Sequence, residues 1–279
     1  YVLFEILMLA AAAAFVRLWP ATGWRTTLAA TCWSLPVFDA FAIAQDVAAL
    51  LAVIAGTLIL LNRRRDFAAG LLFSLCAIKF HLFLLMPVWI LARRMGRFAC
   101  GLVVGGAALG VLSLAAAGPG GFRAFVHTAF SSAVNPGLAV MPNLNGLFHG
   151  NGRLELAAAM AVAALVFLVA RRSSQSWALA ATLSGGLLTS HHAYVADCAL
   201  LLPALLVMVS ETDRAWQRYL ALLLLTPVVF IGVYAGPAVL VTRLSLVVLC
   251  MSFAAVPRRP LTDPPLSASF PSADRASRQ

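Results

Sequence analysis

An all-α, polytopic membrane protein of about 10–11 transmembrane or re-entrant helices is the fold class this 279-residue sequence predicts. Its composition is the first reason. Hydrophobic side chains make up 62% of the chain, charged ones 11%, and mean hydropathy is +0.93, against roughly 45–50% apolar and about 25% charged in soluble domains. The pattern is the second: the apolar runs are long, Ala/Leu-rich and without two-residue alternation, which fits helices and not barrel strands. The charges are the third, because they fall in short arginine clusters between the runs. Too few polar side chains remain to cover a soluble surface. A cytosolic enzyme, a secreted disulfide scaffold and a disordered chain are therefore excluded. The net charge of +10 does not point to nucleic acid, since no single polar face carries it.

A membrane helix needs about 20 apolar residues. Spans are expected at roughly 1–19, 26–43, 46–61, 67–91, 98–117, 154–170, 176–191, 194–210, 219–236 and 238–256. Arginine placement orients them. Arg17/Arg25, Arg63–Arg65, Arg93/Arg94/Arg97, Arg171/Arg172, Arg214/Arg218 and Arg258/Arg259 are assigned to the cytoplasm. The connections near 39–46, 118–153, 190–197 and 236–238 then face outward, holding only Asp39, Asp46, Arg123, Arg153 and Asp197.

Residues 67–91 break the alternation, because arginine clusters flank both ends. A hairpin turning near Ile78–His81 resolves this. Each arm of about 12 residues reaches roughly 18 Å, too short for about 30 Å of hydrocarbon. A re-entrant or strongly tilted hairpin with a buried polar tip is expected. The alternative is a single tilted span that departs from the charge rule.

The domain expected over 1–256 includes an ordered outer loop, 118–153, with an amphipathic interfacial piece at Phe122–Phe130. Residues 257–279, rich in Pro, Ser and Arg, are expected to form a disordered cytoplasmic tail. No signal peptide is read at Tyr1, and the true N-terminus is expected further upstream. The five cysteines show no metal-ligand spacing and read as small lipid- or core-facing residues. No phosphate-binding glycine loop, zinc-protease motif or nucleophile elbow occurs.

Polar residues within such a chain are the informative ones, since a charge at mid-bilayer costs about 2.5–3.5 kcal/mol on insertion scales. Lys79 is the only lysine, beside 19 arginines. It lies too far from either arginine cluster to reach the cytoplasmic interface, and as a point-charge ammonium it suits a phosphate. His81 is expected to pack against the hairpin or join the same site. His191 and His192 sit where two spans meet, with Asp197 five or six residues on. They suit acid–base chemistry or substrate contact, or simply an interfacial role; no spacing supplies further metal ligands. Gln45 and Asp46 lie between two spans, where Asp46 is a candidate ligand or a helix N-cap. Asn143, Asn145 and His149 are placed to hydrogen-bond a sugar or phosphate, or to form turns. All these groups fall on one side of the membrane under the arginine-based topology.

Residues 62–97 combine a basic loop, an apolar run entered through Gly70, Lys79, a Leu-rich run with Pro87 and a second basic loop. This block resembles glycosyltransferase family 87, formerly a domain of unknown function numbered 2029. Upstream, Ala44-Gln45-Asp46 resembles the family's G-Q-N segment after a Pro-containing short span. Downstream, Met141-Pro142-Asn143 and Thr189–Asp197 resemble its M-P-S and S-P-H/Y…Y-D segments. The match runs in order over about residues 1–256.

The resemblance implies a GT-C-like membrane glycosyltransferase. It would take a sugar, mannose or a related hexose or pentose, from a polyprenyl-phosphate carrier. It would pass the sugar, with inversion, to a lipid or glycan acceptor on the extracytoplasmic side, with no cofactor and no metal. By position, Lys79 would contact the donor phosphate and Gln45 would line the site. His191 or His192 would act near the reacting centre, and Asp46, His81, Asn143, Asn145 and Asp197 would bind substrate. The sequence departs from the family pattern at Ala44, Asp46, Phe80 and Ser190, and the family's principal acidic residue is expected upstream of Tyr1. The implied partners are the lipid bilayer, the donor and the acceptor, in a bacterial inner membrane. The competing readings are a transporter or flippase of a lipid-linked or anionic substrate, which predicts a second interrupted span, or an inactive, truncated family member.

Overall fold

The computed structural model describes residues 1–129, 137–234 and 236–255. Of these, 85% are helical and none forms a strand, so the all-α membrane class holds. The expected tail, 257–279, lies outside the described residues, as do Asn135 and Pro136 of the 118–153 loop.

Fourteen α-helices follow one another among the described residues: α1 (Val2–Leu18), α2 (Gly23–Trp33), α3 (Leu35–Ala42), α4 (Val47–Asn62), α5 (Asp66–Phe73), α6 (Met86–Arg93), α7 (Gly96–Ala129), α8 (Leu144–Leu147), α9 (Gly152–Arg172), α10 (Gln175–Thr189), α11 (Leu202–Glu211), α12 (Ala215–Leu224), α13 (Val228–Ile231) and α14 (Val239–Ser252). Asp66–Phe83, Gly96–Thr128 and Gly152–Arg172 are long and apolar enough to cross a membrane; counting two bent pairs, Val2–Leu18 with Pro20–Trp33 and Ala215–Leu224 with Val228–Tyr234, raises this to five. That is fewer unbroken spans than the hydropathy runs suggested. Prolines explain much of the difference: Pro36, Pro87 and Pro203 open α3, α6 and α11, and Pro227 caps α13. Proline lacks the N–H that a continuing helix needs, and an apolar run measures length, not continuity.

Helix α10 is the centre of the fold. Every residue from Trp177 to Thr189 is buried, as expected of a helix apolar on all sides. It packs against α9, α11, α14 and the hairpin. Gly185 and Gly186 make the hairpin contact possible, since a Cβ on Gly186 would lie 2.4 Å from the Leu82 carbonyl oxygen.

The hairpin itself is settled by packing direction. A Cβ on Gly101 would lie 2.0 Å from Phe67 O, and one on Gly105 would lie 2.2 Å from Ser74 Oγ. Contacts therefore advance along α5 and α7 together, and the two helices run parallel. Helix α6, between them in the chain, must come back toward the start of α7. Phe98 of α7 bridges both arms, with ring centroids 5.9 Å from Phe73 and 5.6 Å from Trp89. The chain thus doubles back within 67–91, with α5 and α6 as the two arms of a hairpin.

This return sorts the charges into two poles. Arg93 at the end of α6 donates to Ala170 O and Ser173 O at the end of α9 (both 3.0 Å), and Ser174 at the start of α10 bonds Glu211 at the end of α11. Trp19 after α1 reaches Ser176. Arg17, Arg63–Arg65, Arg93–Arg97, Arg171, Arg172 and Arg214 thus share one pole. The opposite pole carries the 43–46 connection, the hairpin tip, the 141–151 segment and the 190–197 connection.

Helix α7 runs past the expected end at 117, with a break at Gly118 (φ 66°, ψ 176°). A left-handed φ suits glycine, and Pro119 restarts the helix, so the Phe122–Phe130 piece is helical as far as the described residues go. Its exposed Phe122 and Phe125, with Val103, Val104, Val111 and Leu112 of the first part, form an apolar surface that requires lipid or another apolar cover.

Gly70→Ala and Gly101→Ala should each lower stability by about 1–3 kcal/mol through overpacking of α5 on α7, whereas Gly106→Ala, where a Cβ would meet nothing within 4 Å, should not. Thermal unfolding of the three variants in detergent checks this.

Candidate functional site

Between the two arms of the hairpin the backbone tightens into a ten-residue 3-10 stretch, Ser74–Phe83, broken at Lys79 (φ −126°, ψ 51°). Such stretches seldom exceed three or four residues, and longer ones mark strain or a functional hinge. The break turns Lys79 inward. Its Nζ lies 2.5 Å from Gln45 Oε1, 2.6 Å from Asp197 Oδ1 and 3.1 Å from Asp46 Oδ1. The three N–H bonds of the ammonium thus face a carboxamide and two carboxylates, contributed by segments 34 and 118 residues away in the chain. The Lys79 side chain is 14% exposed, Asp197 6% and Asp46 33%.

Each partner is held by local structure. Asp197 opens the 3-10 turn Ala196–Leu201, and its Oδ2 accepts from Tyr194 N at 2.9 Å. Asp46 occupies the N-cap position of α4, yet its side chain caps nothing. The capping role weighed for it is not what its carboxylate does; it turns to Lys79. Ala44, standing where the family segment has glycine, is held at φ 54°. That left-handed turn brings Gln45 and Asp46 round to the lysine.

The histidines lie alongside. The His81 and His192 ring centroids are 6.1 Å apart, and those of His191 and His192 are 4.8 Å apart. His81 is within electrostatic reach of Lys79, Asp46, Asp197 and His192, so it belongs to the site and is not only packing. Burial pushes the His192 pKa down from 6.5, and neighbouring His191 adds to the effect. His192 is therefore a neutral imidazole at pH 7, able to accept a proton.

Asn143 and Asn145 prove to be supports. Asn143 is fully buried; its Nδ2 donates to Ser190 O (2.7 Å) and its Oδ1 accepts from Gly146 N (3.0 Å), capping α8. Asn145 Nδ2 donates to His191 O at 3.0 Å and lies 3.3 Å from His191 Nδ1. Fully buried and bonded at both ends of its amide, Asn143 holds the histidine-bearing backbone. His149 is exposed in a left-handed turn (φ 53°).

Gln45, Asp46, Lys79, His81, Asn143, Asn145, His191, His192 and Asp197 thus come together at one pole, while no contact among the described residues ties the exposed His149 side chain to them. Two members were missed. Glu155, in the first turn of α9, places Oε1 3.7 Å from His191 Nδ1. Arg243 of α14 is 3% exposed and donates Nε to Met141 O (2.9 Å) and Nη2 to Leu138 O and Ala139 O (2.8 Å each). It pins the segment that presents Asn143 and Asn145. Arg243 is a lone charge in an apolar run, the signal that singled out Lys79, whereas Glu155, two residues after Arg153, carries no such mark. Among the described residues no group of three or more His, Cys, Asp or Glu side chains is arranged to hold a metal ion.

An all-helical, membrane-type fold with a charged, hydrogen-bonding site gathered at one pole defines a polytopic membrane protein built around a polar ligand or reaction. The chain belongs to glycosyltransferase family 87, whose family model matches residues 1–196. That stretch contains Gln45, Asp46, Lys79, His81, Asn143, Asn145 and both histidines. Membership makes it a membrane glycosyltransferase. No curated protein and no solved structure matches the chain.

Two outcomes follow from the geometry. Ala44→Gly should raise stability by roughly 0.5–1 kcal/mol by relieving the left-handed strain, measured by thermal or denaturant unfolding. Lys79→Met should cost about 3–5 kcal/mol by leaving the buried Asp197 carboxylate unpaired, and adding Asp197→Asn should recover much of that loss.

Proposed function

We propose that the protein transfers a sugar, mannose or a related hexose or pentose, from a polyprenyl-phosphate carrier to a lipid or glycan acceptor, and that Lys79 receives the donor phosphate. The observation that carries this reading is the placement of Lys79. The chain's one ammonium sits at a helix break, at the pole away from the arginine clusters, within reach of carboxylates and imidazoles. Sugar transfer with inversion needs a cation for the leaving phosphate and a proton acceptor for the attacking hydroxyl. In this reading the acceptor oxygen bonds to the anomeric carbon as the bond to the phosphate oxygen breaks. The electron pair leaves with the phosphate, whose charge Lys79 offsets. The hydroxyl proton passes to the neutral His192 imidazole, with His191 beside it and Gln45 lining the pocket.

The membrane arrangement fits the same chemistry. With the arginine pole in the cytoplasm, the Lys79 pole and its site face outward and the tail after residue 256 stays inside. The exposed apolar faces then contact lipid, and the carrier's isoprenoid chain lies along them while its phosphate enters the polar pole. A bacterial inner membrane is the setting this reading takes.

Membranes carrying the protein, supplied with a polyprenyl-phosphate-linked, radiolabelled mannose, should release label into a lipid or glycan product. Lys79→Met/Asp197→Asn, which restores charge balance without restoring the cation, should fold and transfer at least about 100-fold more slowly. His192→Ala should lose about 10²–10⁴-fold. Undiminished transfer by the double variant would sink the phosphate role of Lys79. With the His192 pKa below 6.5, transfer should hold as the pH falls to that value and decline only below it, as the imidazole takes its proton from solvent.

A further inference from the structure

Lys79 Nζ donates to Gln45 and Asp197, and Asp46 Oδ1 lies 3.1 Å away as an ion-pair partner that accepts no hydrogen bond. An anion arriving at this ammonium competes with these three neighbours, and one of them gives way most easily. Burial and bonding decide which. Asp197 is 6% exposed and has both oxygens engaged, one on Lys79 and one on the Tyr194 N–H. Gln45 is neutral and makes the shortest contact, at 2.5 Å. Asp46 makes the longest, at 3.1 Å, on a side chain one-third exposed. Although it stands at the start of α4, that side chain caps none of the helix N–H groups, so it can swing away without fraying the helix.

We infer that Asp46 is an internal counter-ion that competes with the donor phosphate for Lys79, and that it thereby sets donor affinity. The inference rests on the donor reading above and adds to it the residue that tunes it. The charges give the direction. One ammonium and two carboxylates sum to −1, so a phosphodiester enters against net repulsion until Asp46 withdraws. A neutral residue at 46 removes both the competitor and the repulsion.

The other titratable groups facing this cluster are His81 on the hairpin and His192 on the 190–197 connection, which lies against it. At pH 8 both imidazoles are neutral, so the test is run there. The probe is farnesyl-phosphoryl-mannose, a phosphodiester whose single negative charge does not change between pH 5.5 and 8.5. Its Kd is measured on the full chain in lipid nanodiscs for the wild type, Asp46→Asn and Asp46→Glu.

At pH 8, Asp46→Asn should bind about tenfold tighter than wild type, while Asp46→Glu stays near it. A gap that is absent or reversed overturns the inference while leaving the donor reading intact. If Asp46→Asn does not fold, Asp46→Ser takes its place: an affinity no higher than the wild type's overturns it. Failure of every chain to bind the probe at any pH removes the donor reading itself, and this inference with it.

Discussion

One ammonium shared among three distant segments organises the site. Lys79 can sit buried at the tip of the hairpin only because Asp46, Asp197 and Gln45 meet it there. A lone charge buried among apolar side chains costs several kcal/mol, and a buried carboxylate such as Asp197 is no cheaper alone. The cluster therefore ties the α3–α4 connection, the hairpin tip and the segment after α10 into one unit. Lys79 is structural and chemical at once, and a substitution there reads out both roles unless a partner is changed with it.

Around that unit lies a set of supports that touch no ammonium. Gly186 lets the hairpin lie against α10. Asn143 and Asn145 grip the backbone at Ser190 and His191, and Arg243 grips the segment carrying them. The chain of contacts runs from a buried arginine through backbone carbonyls to the histidine pair. Precise placement of His191 and His192 thus depends on a residue of α14 that touches neither, in keeping with sites whose presented groups are steadied by others behind them.

Much of this was legible in the sequence because charges in an apolar chain are few and expensive. The arginine clusters foretold which helix ends share a pole, and the paired clusters around 67–91 foretold the hairpin. The polar residues at 45, 46, 79, 81, 143, 145, 191, 192 and 197 were readable as one group by side. What hydropathy could not show was who pairs with whom. That Asp197 neutralises Lys79 depends on a fold bringing together positions 118 residues apart. That Asn143 supports rather than presents depends on both of its amide ends being used. Helix breaks at Pro36, Pro203 and Pro227 were masked by the unbroken apolar character of the runs that contain them.

The spacing of the Lys79 partners along the chain has a consequence for how the protein is made. Chains emerge from the ribosome N-terminus first. Asp46 and Gln45 are synthesised before Lys79, while Asp197 follows 118 residues later. When the hairpin is first made, Asp46 is thus the one carboxylate of the pair available to its ammonium, and the buried counter-ion arrives only with the segment after α10. Asp46 is then the earlier of the two counter-ions, and the cluster closes only when most of the bundle has been made.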